Sequence, residues 1–450
     1  MITNRISLPK LSGALALTLM ILLPYHAAQA AFPTLTTLYS FQGDSDGSSP
    51  EADLILGPSG EIYGTTYAGG TFGWGTVFML TPPASPGGAW TESILYEFTG
   101  GDDGANPQAS LLLDSDGTLY GTTFTGGTLQ LGTLFQLTPP ASPGGAWTET
   151  VLYNFQGGPV DGANPQAKLL FNAKAGILFG TTKGGGVDGS GIVFEFSLST
   201  LSYSVLYNFT GNSSGSHDGA DPQASLLVDQ DHHIFGTTYG GGASGYGTVF
   251  ELALFKGANG HLEWKEKAIY SFTGLSDGGI PNAGLFLDAA GNLYGSTFWG
   301  GNGTNCLESG YPAGCGVVFK LSPPAKKGGD WSQSVLYAFT GMGSDGAHPN
   351  LNPLKAVGGA IYGTTYSGGT SQDNCFGGGA YRGCGTIYRL TPPAESGSPW
   401  TQTTVHIFRE RSGGAPYGLI RGPAGSGVLY GATALGGSSG AFGTVFQFMP

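Results

Sequence analysis

Residues 95–137 read LYEFTGGDDGANPQASLLLDSDGTLYGTTFTGGTLQLGTLFQL and contain one copy of a pattern that recurs seven times along the chain. The copies start at positions 38, 95, 152, 206, 269, 336 and 405, and the last of them begins Val-His-Ile-Phe in place of Leu-Tyr-x-Phe. A repeat of about sixty residues that recurs this often indicates a fold made of identical supersecondary units.

Each copy contains four strand-like runs. In the quoted copy they are residues 95–98, 109–113, 119–123 and 132–137. The runs are rich in aromatic residues, valine, leucine and threonine, and glycine, proline or aspartate bounds them, which is typical of strands. The interval from Pro107 to Gly121 is 14 residues, and it is 14 or 15 in every copy, so the hairpin between them accepts no insertion.

Seven such units predict an all-β protein, a seven-bladed β-propeller of four-stranded blades. A β-solenoid is the alternative, but its repeats are usually shorter and it needs end caps. The chain begins with a Leu-Tyr-x-Phe run and ends after a Gly-Thr-Val-Phe run. We therefore predict that residues 35–41 pair with residues 443–448, so that the N-terminal strand closes the last blade and removes an exposed edge.

The first thirty residues differ from the rest. Arg5 and Lys10 precede an apolar run over 11–23, and Ala28-Gln29-Ala30 follows as a cleavage site. This predicts a signal peptide at 1–30, a single propeller domain at 31–450, and a secreted protein, extracellular or periplasmic. No later segment is apolar enough to span a membrane, and the net charge of −13 argues against a nucleic-acid partner. We expect a monomer.

Four cysteines lie in the insertions of the fifth and sixth units. They form two pairs, and the two cysteines of each pair are nine residues apart. We predict the disulfides Cys306–Cys315 and Cys375–Cys384, because an exported chain meets an oxidising compartment. A four-cysteine zinc site is the alternative, but the Cys-x-x-Cys spacing typical of zinc sites is missing.

The combination of Leu-Tyr-x-Phe, Asp-Gly-x-x-Pro, Leu-Tyr-Gly-Thr-Thr, Gly-Gly and Gly-Thr-Val-Phe-x-Leu resembles the GloVer tandem repeat of bacterial secreted and surface proteins. The resemblance spans nearly the whole mature chain, and it implies an exported, propeller-like bacterial protein without implying catalytic residues. A weaker similarity is to kelch repeats.

If Leu-Tyr-x-Phe forms the outer strand, the Asp-Gly-x-x-Pro and Gly-Gly loops share one face. That face would present exposed aromatic residues (Trp74, Tyr246, Trp299), both disulfide loops and a ring of carboxylates: Asp46, Asp103, Asp161, Asp218, Asp277 and Asp345. Such a face suits a glycan or a cation, and the cation would be calcium. The alternative is turn chemistry, in which each aspartate accepts backbone N–H bonds before a glycine.

A second set follows the prolines directly: Glu51, Gln108, Gln166, Gln223, Asn282, Asn350 and Tyr417. If the run after the proline is the innermost strand, these residues surround the mouth of the central channel. They would bind a ligand or water there, or their amides would satisfy exposed strand ends.

Catalytic patterns are weak. Gly-x-Ser-x-Gly matches such as residues 43–47 arise by chance in a chain with 82 glycines, and no helix follows to form a nucleophile elbow. No His-Glu-x-x-His metal motif occurs. We therefore expect a binding or interaction module for carbohydrate or a surface protein. The alternatives are a propeller-fold polysaccharide hydrolase or lyase, and a structural protein of the cell envelope.

Overall fold

The fold is that of a computed structural model. It describes residues 33–450 except 86, 143, 213–214, 216, 258–259, 302, 327, 351–354, 358, 370–374, 376–382, 396, 439 and 441. The predicted signal peptide at 1–30 lies outside the described residues. In the part of the chain that is described, no helix is long and apolar enough to cross a membrane.

The strands form seven antiparallel blades, as predicted. Within blades 1–6 the strands run in chain order from the inner to the outer strand, and in blade 7 the N-terminal strand is the outer one. Blade 1 contains Ile55–Leu56, Ile62–Thr66, Thr76–Thr81 and Thr91–Glu97. Blade 2 contains Leu112–Leu113, Leu119–Thr123, Thr133–Thr138 and Thr148–Asn154. Blade 3 contains Leu170–Asn172, Ile177–Thr182, Ile192–Ser197 and Ser202–Asn208. Blade 4 contains Leu227–Val228, Ile234–Thr238, Thr248–Lys256 and Leu262–Ser271.

Blade 5 contains Phe286–Leu287, Leu293–Thr297, Val317–Ser322 and Ser332–Ala338. In blade 6 the inner strand has two segments, Gly346–Pro349 and Lys355–Val357, followed by Ala360–Gly368, Thr386–Thr391 and Thr401–Ile407. Blade 7 contains Gly414–Arg421, Leu429–Leu435, Thr444–Met449 and, as its outer strand, Thr34–Ser40. One 3-10 helix, Gly158–Val160, precedes blade 3.

The closure of the ring follows the prediction. Thr34 pairs with Met449 and Ser40 pairs with Thr444, with a register shift between Thr37 and Tyr39. The backbone N–H of Phe41 then donates to the carbonyl of Gly443 at 3.1 Å. Strands from the two ends of the described chain thus complete one sheet. Thr34–Ser40 covers Thr444–Met449 and lies at the outer edge, as the fourth strand does in the other blades.

Aromatic residues join neighbouring blades. The phenylalanine that ends each Leu-Tyr-x-Phe run packs edge-to-face on an aromatic ring in the third strand of the next blade. The pairs, with ring centroids 5.0–5.3 Å apart, are Phe41–Phe78, Phe98–Phe135, Phe155–Phe194, Phe209–Phe250, Phe272–Phe319, Phe339–Tyr388 and Phe408–Phe446. Such pairs contribute about 0.5–1.5 kcal/mol each beyond the area they bury. They explain why the repeat keeps these two positions aromatic.

The residue before each proline adopts a left-handed backbone conformation, with φ between 51° and 59° at Ser49, Asn106, Asn164, Asp221, Ile280, His348 and Ala415. This conformation interrupts the regular extended path of the inner strand. Its first part forms short bridges to the second strand, such as Gly162–Ala163 with Gly184–Gly185 and Gly219–Ala220 with Gly240–Gly241. The same bend recurs in all seven units and begins the strand that carries the residues after the prolines.

Both predicted disulfides are present, Cys306–Cys315 and Cys375–Cys384, each with its Cα atoms little more than 5 Å apart (5.2 and 5.3 Å). Another departure from the repeat was not predicted. The third and fourth strands of blade 4 are nine and ten residues long, whereas the third and outer strands of blade 3 are six and seven.

Candidate ligand-binding site

The residues that follow the prolines converge on the propeller axis. Five of the seven predicted positions line one cavity of about 250 Å³: Glu51, Gln108, Gln166, Gln223 and Tyr417, from blades 1, 2, 3, 4 and 7. This common cavity identifies the strands after the prolines as the innermost ones. Ala52, Ser110, Ala167, Lys168 and Ser225 complete its wall. The two charged side chains in this wall, Glu51 and Lys168, carry opposite charges.

Hydrogen bonds link three of these side chains around the axis. The Gln166 amide nitrogen donates to Gln108 Oε1 at 2.5 Å, and the Gln108 amide nitrogen donates to Glu51 Oε2 at 3.4 Å. At the end of this chain, Gln166 Oε1 is buried and accepts no hydrogen bond from the described residues. A buried acceptor without a donor is costly, so this oxygen favours a ligand or water that donates to it.

The carboxyl group of Glu51 titrates near neutrality. Burial raises the pKa of Glu51 to about 7, although the hydrogen bond from Gln108 lowers it. Burial also raises the pKa of Tyr417 well above its usual value, and the charges on Glu51 and Tyr366 act in the same direction. Tyr417 therefore remains a phenol, able to donate a hydrogen bond, at neutral pH.

The remaining two positions after the prolines do not line this cavity. Asn350 is buried and its amide nitrogen donates to the Pro416 carbonyl at 2.6 Å, which ties blade 6 to blade 7. Asn282 is also buried, and its Oδ1 has no hydrogen-bond donor among the described residues. The ring of seven is therefore asymmetric, with its described opening toward blades 1–4 and 7.

Aromatic residues occupy one repeated position that the sequence analysis did not single out. None of them is among the described residues that line the cavity, although Tyr366 packs near Tyr417 and lies close enough to Glu51 to feel its charge. These aromatic residues directly follow the Gly-Thr-Thr or Gly-Ser-Thr of the second strand and are partly buried: Tyr67, Phe124, Tyr239, Phe298 and Tyr366. The signal was available, since five of the seven copies have an aromatic residue there. Blade 3 has Lys183 at this position, and blade 7 has the small, buried Ala434.

Two of the left-handed residues hold the backbone of two of these aromatic residues. The Asn106 side chain donates to the Tyr67 carbonyl at 3.0 Å, and the Asn164 side chain donates to the Phe124 carbonyl at 2.9 Å. Each bond runs from one blade to the preceding one. The aromatic residues are thus fixed to backbone that lies two residues from the cavity-lining glutamines.

The predicted ring of carboxylates is used within the turns. Each aspartate accepts a bond of 2.9–3.2 Å from the tyrosine hydroxyl of its own Leu-Tyr-x-Phe run, and another from the backbone N–H that follows the phenylalanine. The pairs are Tyr39–Asp46, Tyr96–Asp103, Tyr153–Asp161, Tyr207–Asp218, Tyr270–Asp277 and Tyr337–Asp345. Burial first, and nearby carboxylates second, raise the pKa of these tyrosines, so they stay hydrogen-bond donors. These bonds favour the turn interpretation.

The seventh unit has a shorter version of the same turn. Ser412 Oγ accepts from the backbone N–H of Arg409 at 3.0 Å, and His406 takes the place of the tyrosine. Within the described ranges, no group of three histidine, cysteine, aspartate or glutamate side chains could hold a metal ion. The calcium site considered above remains a hypothesis.

The three aromatic residues predicted to be exposed differ in their environments. Trp74 is 45% exposed and Tyr246 is partly buried. The expectation is wrong for Trp299, which is 1% exposed. Tyr311, in the disulfide loop of blade 5, stacks on it at 5.1 Å, and His348 packs against its edge at 4.4 Å. The insertion that carries the cysteines thus covers this tryptophan.

A second cavity, of about 850 Å³, lies between blades 3 and 4 near the hairpin turns at the opposite ends of the strands. Its wall is mainly apolar and includes Phe171, Val228, Leu254 and Trp264, with His232 at the rim. None of the predicted ligand-binding residues lies there.

Comparison with known proteins identifies the repeat. The family model described as the Gloeobacter/Verrucomicrobia repeat matches overlapping segments at 26–143, 84–307, 142–376 and 265–450. A search of curated proteins finds no match.

Several solved structures are similar in fold. An ulvan lyase, a polysaccharide lyase, has 12% identity and a TM-score of 0.49, over 90% of this chain and 97% of its own. A candidate 6-phosphogluconolactonase from Bacteroides uniformis has 15% identity and a TM-score of 0.47, over 85% and 89%. A candidate glucose dehydrogenase from Thermus thermophilus has 13% identity and a TM-score of 0.41, over 92% and 99%. Their activities carry no argument for this chain at such distances.

Proposed function

The chain belongs to the Gloeobacter/Verrucomicrobia repeat family, and from its axial site we propose that it is an exported glycan-binding module. The observation that carries the proposal is the chain of side-chain amides around the axis. It begins at Glu51, passes through Gln108 and ends on the buried Gln166 Oε1, to which none of the described residues donates. Sugar hydroxyls both donate and accept hydrogen bonds, so they suit a wall that alternates amide donors and acceptors.

The aromatic residues that follow Gly-Thr-Thr or Gly-Ser-Thr support the same ligand class. Tyr67, Phe124, Tyr239, Phe298 and Tyr366 combine apolar ring surface with partial exposure. Ligand sites typically pair such surface with a few fixed polar groups that set orientation. A sugar ring, with apolar C–H faces and polar edges, matches both parts of this site.

The charges favour a neutral glycan. Glu51 and Lys168 offset each other in the cavity wall. Asp221 lies two residues before the cavity-lining Gln223. Burial raises the pKa of Asp221 and the charge on Lys183 lowers that pKa, so Lys183, like Lys168, has an acidic neighbour. The chain as a whole carries a formal charge of −13, which opposes the approach of a polyanion.

The geometry favours binding over hydrolysis. Glycosidases generally need two carboxyl groups on either side of the scissile bond. Among the described residues that line the axial cavity, Glu51 is the one carboxylic acid. For a lyase, the high pKa of Tyr417 makes that phenol a poor base. Binding to a surface protein and a purely structural role are the remaining alternatives.

Export is the second part of the proposal. It rests on the predicted signal peptide at 1–30 and on the two disulfides, which form and persist in oxidising compartments.

The test is a glycan array with residues 31–450, with and without calcium, followed by calorimetry on the best neutral polysaccharide. We expect Gln166→Leu and Tyr366→Ala each to weaken binding at least tenfold. The control Gln230→Leu changes an exposed glutamine near the opposite ends of the strands and should bind normally. Absence of binding to every glycan would reject the proposal, and release of reducing or unsaturated ends would support the hydrolase or lyase instead.

A further inference from the structure

The disulfide loop of blade 5 carries an exposed tyrosine that lies beside Tyr239. Tyr311 lies between Cys306 and Cys315 and is 40% exposed. One face of its ring stacks on Trp299, with centroids 5.1 Å apart and planes 20° apart. Its hydroxyl lies 3.5 Å from the hydroxyl of Tyr239. Tyr239 is one of the five aromatic residues that follow Gly-Thr-Thr or Gly-Ser-Thr, so Tyr311 adds a further aromatic side chain beside this set.

A continuous path leads from the cavity to Tyr311. Gln223 lines the cavity, and Asp221, two residues before it, accepts a backbone bond of 3.1 Å from Tyr239. Tyr239 then meets Tyr311 through the two hydroxyl groups. The cavity of about 250 Å³ holds roughly one sugar residue. A longer glycan seated there has to leave the cavity, and this side offers it aromatic surface.

The loop is anchored on both sides. The Asn305 side chain donates to the Thr340 carbonyl at 3.0 Å, in the segment that leads to blade 6. The Cys315 carbonyl accepts from the backbone N–H of His348 at 2.8 Å. On the other side, Pro312 packs beside Gly279, where an added Cβ would lie 3.2 Å from the proline ring. These contacts and the disulfide restrict the loop and hold Tyr311 against Trp299.

We propose that Tyr311 forms an outer sugar-binding subsite, held in place by the Cys306–Cys315 disulfide, and that the ligand is therefore an oligosaccharide chain rather than a single terminal sugar. This inference rests on the proposed glycan-binding function of the axial cavity. It adds a second point of contact with the glycan, because only a sugar residue beyond the one in the cavity can stack on the fixed ring of Tyr311. Tyr311 is a binding residue, and the cysteines are positioning residues.

The test compares short and long ligands. Malto-, cello- and xylo-oligosaccharides of one and of six residues are titrated by calorimetry into residues 31–450. We expect the six-residue member of the bound series to bind at least tenfold more tightly than the monosaccharide. Tyr311→Ala should remove most of this difference and leave monosaccharide affinity unchanged. Leu307→Ala, an exposed residue of the same disulfide loop, is the matched control and should behave as wild type.

The disulfide is tested separately. Cys306→Ser with Cys315→Ser should weaken the hexasaccharide alone, and Cys375→Ser with Cys384→Ser, which removes the other nine-residue disulfide, should weaken it less. Tyr311→Phe, which keeps the ring, should retain binding. If Gln166→Leu abolishes binding while Tyr311→Ala has no effect on the hexasaccharide, the subsite is wrong and the axial site stands. If wild type binds none of the probes or array glycans, both proposals fail.

Discussion

A buried glutamate between two blades should make the propeller less stable as the pH rises. Glu266 lies in the outer strand of blade 4. It is near Tyr207, in the outer strand of blade 3, and near Asp218, in the segment that follows that strand. Tyr207 donates its hydroxyl to Asp218 at 3.0 Å, and Glu266 Oε1 is buried without a hydrogen-bond partner among the described residues. Burial, and then the charge on Asp218, raise the pKa of Glu266 to about 8, although the nearby Tyr207 hydroxyl lowers it.

The sign of the effect follows from this pKa. Because the pKa is higher in the folded protein than in the unfolded chain, folding disfavours the ionised form. The protonated group costs nothing below about pH 4.5, and the penalty grows until the pH exceeds about 8. A change from 4.5 to about 8 corresponds to about 5 kcal/mol at pH 9, since a tenfold change is worth about 1.4 kcal/mol. Solvent contact reduces this penalty, and we expect the ionised Glu266 to lower the free energy of unfolding by about 2 kcal/mol.

The variant Glu266→Gln removes this penalty. The repeat itself supplies the precedent, because blade 5 has Gln333 at the same register and its amide donates to the Asp277 carbonyl at 3.2 Å. Urea unfolding at pH 5, 7 and 9 should show the variant equal to wild type at pH 5 and about 2 kcal/mol more stable at pH 9. Glu263→Gln, an exposed site on the same strand, is the control. A difference that is the same at pH 5 and pH 9 would refute the reasoning.

Three further predictions concern packing, backbone conformation and binding. Gly236→Ala should lower the free energy of unfolding by about 1–3 kcal/mol in a urea titration, because its Cβ would lie 2.5 Å from the Phe250 ring. Gly240→Ala, whose Cβ would meet nothing closer than 3.9 Å, should have little effect, and equal losses would contradict the packing argument. Ser49→Asn should stabilise the protein by about 0.5–1 kcal/mol and so raise its melting temperature. Asparagine tolerates the left-handed conformation that Ser49 adopts at φ 55°, and Asn106 already occupies the equivalent position in the next unit. A lower melting temperature would contradict this prediction. Glycan affinity measured by calorimetry should rise as the pH increases through about 7, where Glu51 ionises and becomes a stronger acceptor for sugar hydroxyls, and Glu51→Gln should remove this dependence; an unchanged pH profile in that variant would assign it to another group.

The sequence was sufficient for the architecture because repetition makes strand patterns visible. The interval from Pro107 to Gly121 predicted the invariant hairpin, and the order of runs at the two ends predicted the pairing of Thr34–Ser40 with Thr444–Met449. Both disulfides followed from two equal intervals in a chain that is predicted to be exported. Each of these features depends on local spacing, which a single sequence records directly.

The details of the site depend on contacts between units, and local spacing does not record these. The sequence predicted Trp299 to be an exposed aromatic residue of a ligand-binding face. In the structure Tyr311, from the disulfide insertion of blade 5, stacks on Trp299 and covers it. Asp103 and its equivalents suggested a carboxylate ring, yet tyrosine hydroxyls already occupy them. The aromatic residues after Gly-Thr-Thr passed unnoticed because they continue an apolar strand. Their contacts with the next blade, such as the bond from the Asn106 side chain to the Tyr67 carbonyl, appear only in the folded protein.

A crystal structure of residues 31–450 with an oligosaccharide from the array would show whether a glycan binds at the axial mouth. We predict one sugar residue in the cavity with a hydroxyl group within about 3 Å of Gln166 Oε1, and the next residues over Tyr239 and Tyr311. A glycan bound instead in the apolar cavity between blades 3 and 4, with the axial cavity empty, would contradict the account.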